Sequence, residues 1–129
     1  MNDPEIVADA SAVLALLQDE EFGRYDPEHL VGAAISAVNF SEVLAKLGAA
    51  GLTEAEADAA VDALDVVVLA FDEHQARSAA RLWPVVRHFG LSLADRACLA
   101  LGLRLGRPVV TADRVWAKLD VGVEIVLIR

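Results

Sequence analysis

Apolar residues fall into short dense runs and helix-spaced stripes along this chain, and the two alternate. EIVAD (Glu5–Asp9) is a β-prone run closed by an acid, and SAVLALLQ (Ser11–Gln18) behind it has the dense apolar content of a buried helix. Asp26-Pro27 predicts an N-cap followed by proline at the first helical position, opening a short helix over Glu28–Val31. AAIS (Ala33–Ser36) reads as a second strand. From Ala37 to about Ala50, Val38, Phe40, Val43, Leu44 and Leu47 share one buried helical face, with Gly48 or Gly51 near the end. Thr53 and Glu56 form a capping box for a helix reaching about Leu64. VVVLA (Val66–Ala70) is the clearest strand, apolar on both faces as in a parallel sheet covered by helices. Asp72 caps a helix through Ala76, Ala79, Ala80 and Trp83, which Pro84 should bend or break and Gly90 should end. A helix from Ser92 to about Leu105, stopped by Gly106, leads to a fourth strand, Val109–Thr111, and VEIVLI (Val123–Ile128) is a fifth.

This alternation predicts an α/β fold of one domain over residues 1–129: a central, mainly parallel sheet of four to five strands between helical layers. Ligands of such sheets bind beyond the carboxyl ends of the strands, where the strand order reverses. A hydrophobic content of 56% with only 5% aromatic makes the core one of Ala, Leu and Val. The start, MNDPEIVADAS, has three acids and no basic region, and no apolar run approaches the roughly 18 residues of a membrane span, so a cytoplasmic protein without a membrane partner is expected. Cys98 is the single cysteine and reads as a small buried hydrophobe; His29, His74 and His88 lack metal-ligand spacing. Trp83 and Trp116 read as core or interface, which leaves no aromatic platform for stacking bases.

The net charge of −9 is unevenly spread. Residues 1–74 carry 16 Asp/Glu against 2 Lys/Arg, or −14, whereas residues 75–129 carry 4 against 9, or +5. Either the halves offset each other across one fold, or a basic rim surrounds an anion site. Asp9 follows the first strand and Asp113 the fourth, so both lie at the carboxyl edge; Glu42 and Asp95 open the helices after the second and before the fourth. Each acid has a local explanation: Asp95 caps through Ser92, Glu42 pairs with Asn39 as an Asn-x-x-Glu capping box, Asp113 caps RVWAKL, and Asp9 ends a strand in a turn. Together they converge on one edge. Like charges 4 Å apart repel by about 4 kcal/mol at an effective dielectric near 20, so such a cluster needs a cation. All-oxygen donors select Mg²⁺ or Mn²⁺ over Zn²⁺, and the chemistry that follows is metal-assisted hydrolysis.

The set Asp9, Asn39 with Glu42, Leu93-Ala94-Asp95-Arg96 and Thr111-Ala112-Asp113 resembles the PIN-domain ribonucleases, and most closely the VapC toxins of prokaryotic toxin–antitoxin pairs. The matching stretches are Ile6–Leu17, Ala34–Leu47, Leu91–Leu119 and Val123–Arg129, in the family's order; Asp19–Val31 and Gly48–Gly90 carry no family motif. The resemblance implies a Mg²⁺-dependent endoribonuclease, with Mn²⁺ as a substitute ion, and an acidic site of Asp9, Glu42, Asp95 and Asp113. Asp9 and Asp95 are then the direct metal ligands, with Glu42 and Asp113 acting through water or a second ion. Ser11, Asn39 and Thr111 are supporting residues, and Arg96 and Arg114 are the cations nearest the RNA phosphates. It further implies a homodimer held inactive by a cognate VapB-like antitoxin whose tail covers the pocket, with Val38, Phe40, Val43 and Leu47 as part of that groove unless they are core. Two other classes compete: a PIN-like module that binds RNA or protein without cutting, and a phosphoacceptor receiver domain using the acid that ends VVVLAFD.

Overall fold

A computed structural model describes residues 3–129. Its elements run β1 (Val7–Ala8), α1 (Ala10–Leu17), a 3-10 turn Pro27–Leu30, β2 (Ala34–Ser36), α2 (Ala37–Ala49), α3 (Glu54–Asp62), β3 (Val67–Leu69), α4 (Glu73–Val86), a 3-10 turn Arg87–Phe89, α5 (Leu93–Leu105), β4 (Val109–Thr111), a 3-10 turn Arg114–Lys118 and β5 (Ile125–Leu127). The strands form one sheet in the order β3-β2-β1-β4-β5, and every neighbouring pair is parallel. The expected α/β architecture is therefore present, with five strands. No helix among the described residues is long and apolar enough to cross a membrane.

Strand side chains alternate between faces, and this sorts the core into two layers. Ala8, Ile35 and Val110 pack with Val13 and Leu14 of α1, Val43 and Leu47 of α2, and Ala57 and Val61 of α3. The other face carries Val7, Ala34 and Val109 against Ala79, Leu82 and Val86 of α4 and Cys98, Leu99 and Leu101 of α5. Each fully buried aliphatic side chain of this kind contributes about 1.5–3 kcal/mol. Trp116 is wholly buried here, while Trp83 stands 49% exposed on α4 with the Arg87 guanidinium 5.3 Å from its ring.

One expectation is corrected by the packing, and the place at which α4 stops is made specific. The run VVVLA predicts a strand covered on both faces, yet β3 is an edge strand on which Val67 and Val68 are 40% and 42% exposed. An apolar run records β-propensity but not its place in the strand order, which is set by long-range pairing. Pro84 does not break α4 where it stands. It lies within the last turn, so the helix loses the bond to the Ala80 carbonyl and ends at Val86, two residues later. Gly106 closes α5 at φ 63°, a left-handed conformation that costs a residue with a Cβ energy and costs glycine none.

Candidate metal centre

The order of strands reverses between β1 and β4, and the residues that follow these two strands meet there. The Asp9 amide donates to the Val110 carbonyl at 2.9 Å, which extends the ladder and points the chain into α1. Asp9 occupies the N-cap position of that helix but makes no side-chain capping bond. Its carboxylate, only 4% exposed, instead accepts two hydroxyls on Oδ2, from Ser11 at 2.7 Å and from Thr111 at 2.9 Å. Each hydroxyl is itself oriented by a backbone amide: Ala112 donates to Ser11 at 2.9 Å and Asp113 to Thr111 at 3.0 Å. The two hydroxyl oxygens lie 3.2 Å apart, but with both protons given to Asp9 neither has one left for the other.

Two further acids act on this network. Asp95 opens α5 and completes a capping box: its Oδ2 accepts the Ser92 amide at 2.9 Å, while its own amide donates to the Ser92 hydroxyl at 3.1 Å. Capping and proximity to Asp9 are thus compatible roles. Glu42 lies half-buried on α2, 3.9 Å from Lys46 one turn on. Burial pushes the Asp9 carboxyl from 3.8 up to about 6; the two hydroxyl bonds oppose the rise, and the charges of Asp95 and Glu42 add to it. The Cys98 thiol, fully buried on α5, is driven well up by burial and then by the charges of Asp9, Asp95 and Glu42, so it remains a neutral, inert filler beneath the acids.

Asp113 is not among the charges acting on Asp9. It is exposed, and its Oδ1 accepts the Val115 amide at 3.0 Å, capping the 3-10 turn that follows β4. Asn39 is not a helix cap, contrary to the Asn-x-x-Glu reading. Ser36 caps α2 through the Val38 amide, and Asn39, one turn inside and wholly buried, donates through Nδ2 to the Ala94 carbonyl at 2.9 Å. Arg96 turns away from the edge: Nη1 donates to the Ala79 carbonyl of α4 at 3.0 Å, and Nε is buried without a partner. Arg114 is exposed at the carboxyl edge. On α2, Val43 and Leu47 are core, whereas Val38 and Phe40 are half-buried. The receiver alternative loses its geometry, since the acid after β3, Asp72, follows an edge strand and caps α4 through the Gln75 amide. What the sequence did not reveal is the two-hydroxyl clamp on one oxygen of Asp9, because Ser11 and Thr111 lie 100 residues apart.

The donors suit a hard cation. Asp9 is a buried carboxylate, and no Lys or Arg among the described residues pairs with it, with Asp95 or with Asp113. Also among the described residues, no group of three or more His, Cys, Asp or Glu is gathered tightly enough to hold an ion by protein atoms alone. Mg²⁺ keeps several waters and takes only one or two carboxylates, so Asp9 with Asp95 is a donor set of the right chemistry for it.

An open parallel sheet whose strand order reverses between β1 and β4, with Asp9 at that switch point, places the molecule among the open parallel-sheet α/β folds. Within that class the chain belongs to the PIN domain family, whose model matches residues 6–122. VapBC2 from Rickettsia felis, crystallised with a DNA fragment from its promoter, shares the fold with a TM-score of 0.73 at 12% identity, covering 95% of this chain and 97% of that one. VapBC-5 from Mycobacterium tuberculosis, a member of the VapBC family of toxin–antitoxin systems, gives 0.61 at 23% identity over 98% and 99%. VapC20 from the same organism, a sarcin–ricin loop cleaving toxin, gives 0.63 at 20% identity over 92% and 98%. No curated protein matches the sequence significantly.

Proposed function

We propose that this protein is a Mg²⁺-dependent endoribonuclease that hydrolyses RNA phosphodiester bonds and acts as the toxin of a toxin–antitoxin pair. One observation carries the reading: a buried carboxylate at the switch point, Asp9, has no Lys or Arg partner among the described residues and lies within electrostatic reach of two more acids. Asp9 and Asp95 hold the ion, for which Mn²⁺ can substitute, and Glu42 and Asp113 act through its water shell or a second ion. When bound, the ion supplies a Lewis acid for a phosphate oxygen and a water of lowered pKa. The chain's own residues prepare that site. Ser11 and Thr111 take up Oδ2 of Asp9 and fix its plane, which leaves Oδ1 for the metal. Asp95 is held by its own cap through Oδ2, which leaves Oδ1 for the ion. Arg114 is the cation positioned for a backbone phosphate, Arg96 being engaged with α4.

Support for the antitoxin partner comes from structural neighbours that include VapBC and FitAB toxin–antitoxin structures, and support for the RNA substrate from one described as a sarcin–ricin loop cleaving toxin. By that likeness the protein is silenced by an antitoxin that covers the acidic edge of the sheet, and the homodimer rests on the family resemblance alone. Calorimetric titration with Mg²⁺ or Mn²⁺, followed by cleavage of structured RNA, tests the reading. Asp9→Asn and Asp95→Asn should each lower metal-dependent cleavage by more than the roughly 10–100-fold typical of residues behind the ligands. Undiminished cutting by both variants overturns the site. A non-catalytic PIN-like binding module is the second reading, favoured by the spread of the acids; RNA binding without cleavage at saturating Mn²⁺ would select it.

A further inference from the structure

We infer that Asn39 is a positioning residue whose side-chain amide holds the helices carrying Glu42 and Asp95 in register, and that it is kept in the core for that geometry and not for stability. The inference rests on the metal-site reading above and concerns how the site is held together. Asn39 sits on α2 one turn before Glu42, so the two share a face of the helix. Its Nδ2 donates at 2.9 Å to the carbonyl of Ala94, the residue next to Asp95, across 55 positions of sequence. A single bond therefore links the helical turns that present the two acids. Among the described residues no other side-chain hydrogen bond or ion pair joins α2 to α5, and apolar packing, being non-directional, cannot substitute for a bond that weakens steeply once out of line.

The local hydrogen bonding shows why stability is not the reason for an amide here. Asn39 is 0% exposed, and its Oδ1 is buried with no partner, which is unfavourable. The Ala94 carbonyl lies in the first turn of α5, where the Cys98 amide four residues on supplies the helical bond. The bond from Asn39 is thus a second one on an acceptor already used. Leucine, of similar size, would leave no orphan oxygen and would strand no donor or acceptor, so replacement of the amide by an apolar isostere is expected to be neutral or stabilising. Selection for stability alone would not favour asparagine at this position; a fixed distance between Glu42 and Asp95 does.

The test compares wild type, Asn39→Leu and, as a destabilised control away from the clasp, the α3 core variant Val61→Ala. Three quantities are measured on the full chain: melting temperature in EDTA, amide hydrogen exchange over residues 37–43 and 93–98, and Mn²⁺ affinity by calorimetry. N39L should melt at or above the wild-type temperature, exchange faster at the starts of α2 and α5, and bind Mn²⁺ about 10-fold more weakly. V61A should melt lower while keeping its Mn²⁺ affinity. An N39L protein that fails to fold or melts well below wild type shows the amide to be a stabilising core group and overturns the inference; so does unchanged exchange at both helix starts. If wild type itself binds no Mn²⁺, the metal-site reading fails, and the exchange comparison still decides whether Asn39 is the clasp.

Discussion

At the scale of single residues, the environment of Asp9 has measurable consequences. Its carboxyl is raised from 3.8 to about 6, chiefly by burial, so the folded chain holds this proton more tightly than the unfolded one. For metal-free protein the stabilisation from this group is complete below the unfolded pKa and is lost as pH rises through about 6. At about 1.4 kcal/mol per pKa unit, the loss at neutrality is about 3 kcal/mol. Asp9→Asn, which can still accept from Ser11 and Thr111, should therefore melt several degrees above wild type in EDTA at pH 7.5, with the difference closing by pH 4; equal melting at both pH values would contradict this. A cation must displace the same proton. Apparent Mn²⁺ affinity, measured by calorimetry, should fall about tenfold per pH unit below pH 6 and level off above it. Asp9 was legible in the sequence as an acid closing an apolar run, and Ser11 and Thr111 were named through the family resemblance, but their shared hold on Oδ2 was not. Ser11 and Thr111 become neighbours only when β1 and β4 pair.

At the scale of elements, α5 does two jobs: its first turn presents Asp95, and its middle seats the helix on β4. A Cβ built on Gly102 would come within 2.5 Å of Val109 Cγ2, a contact too short for any real side chain. Gly102→Ala should push α5 off the sheet and cost about 1–3 kcal/mol by urea unfolding. It should also weaken Mn²⁺ binding by displacing Asp95. Gly48 near the end of α2 meets nothing within 4 Å, so Gly48→Ala should stabilise by about 0.4–1 kcal/mol and leave Mn²⁺ affinity alone. A destabilised Gly48→Ala would show that its neighbours are closer than they stand here. The helices were readable because their signals are local. Ser92 with Asp95 and Thr53 with Glu56 form the capping boxes that their spacing predicts, and Gly106 stops α5 where expected. Asn39 misled as a helix start because Ser36, three residues earlier, already caps α2 and draws position 39 into the interior.

At the scale of the whole molecule, the charge asymmetry bears on RNA. An acidic first part of −14 and a basic second part of +5 meet where β1 pairs with β4, Asp9 coming from one and Asp113 and Arg114 from the other. Binding of RNA by the Asp95→Asn variant, followed by fluorescence anisotropy, should weaken with salt. Arg114→Glu should reduce the slope of log K against log[salt] by about 0.7–0.9, the share of one phosphate that is no longer neutralised, and an unaltered slope would remove Arg114 from the interface. The amino-acid sequence by itself determined which stretches become helices and strands, that the sheet is parallel, and which acids lie at strand ends, because periodicity, caps and turn residues act over a few positions. Only the tertiary structure decided that β3 is an edge, that Arg96 faces α4, that Asn39 bonds to Ala94, and that Asp9 is clamped by hydroxyls from both ends of the chain. Those outcomes depend on which strands pair and which helix faces meet, and pairings across a hundred residues leave no local trace.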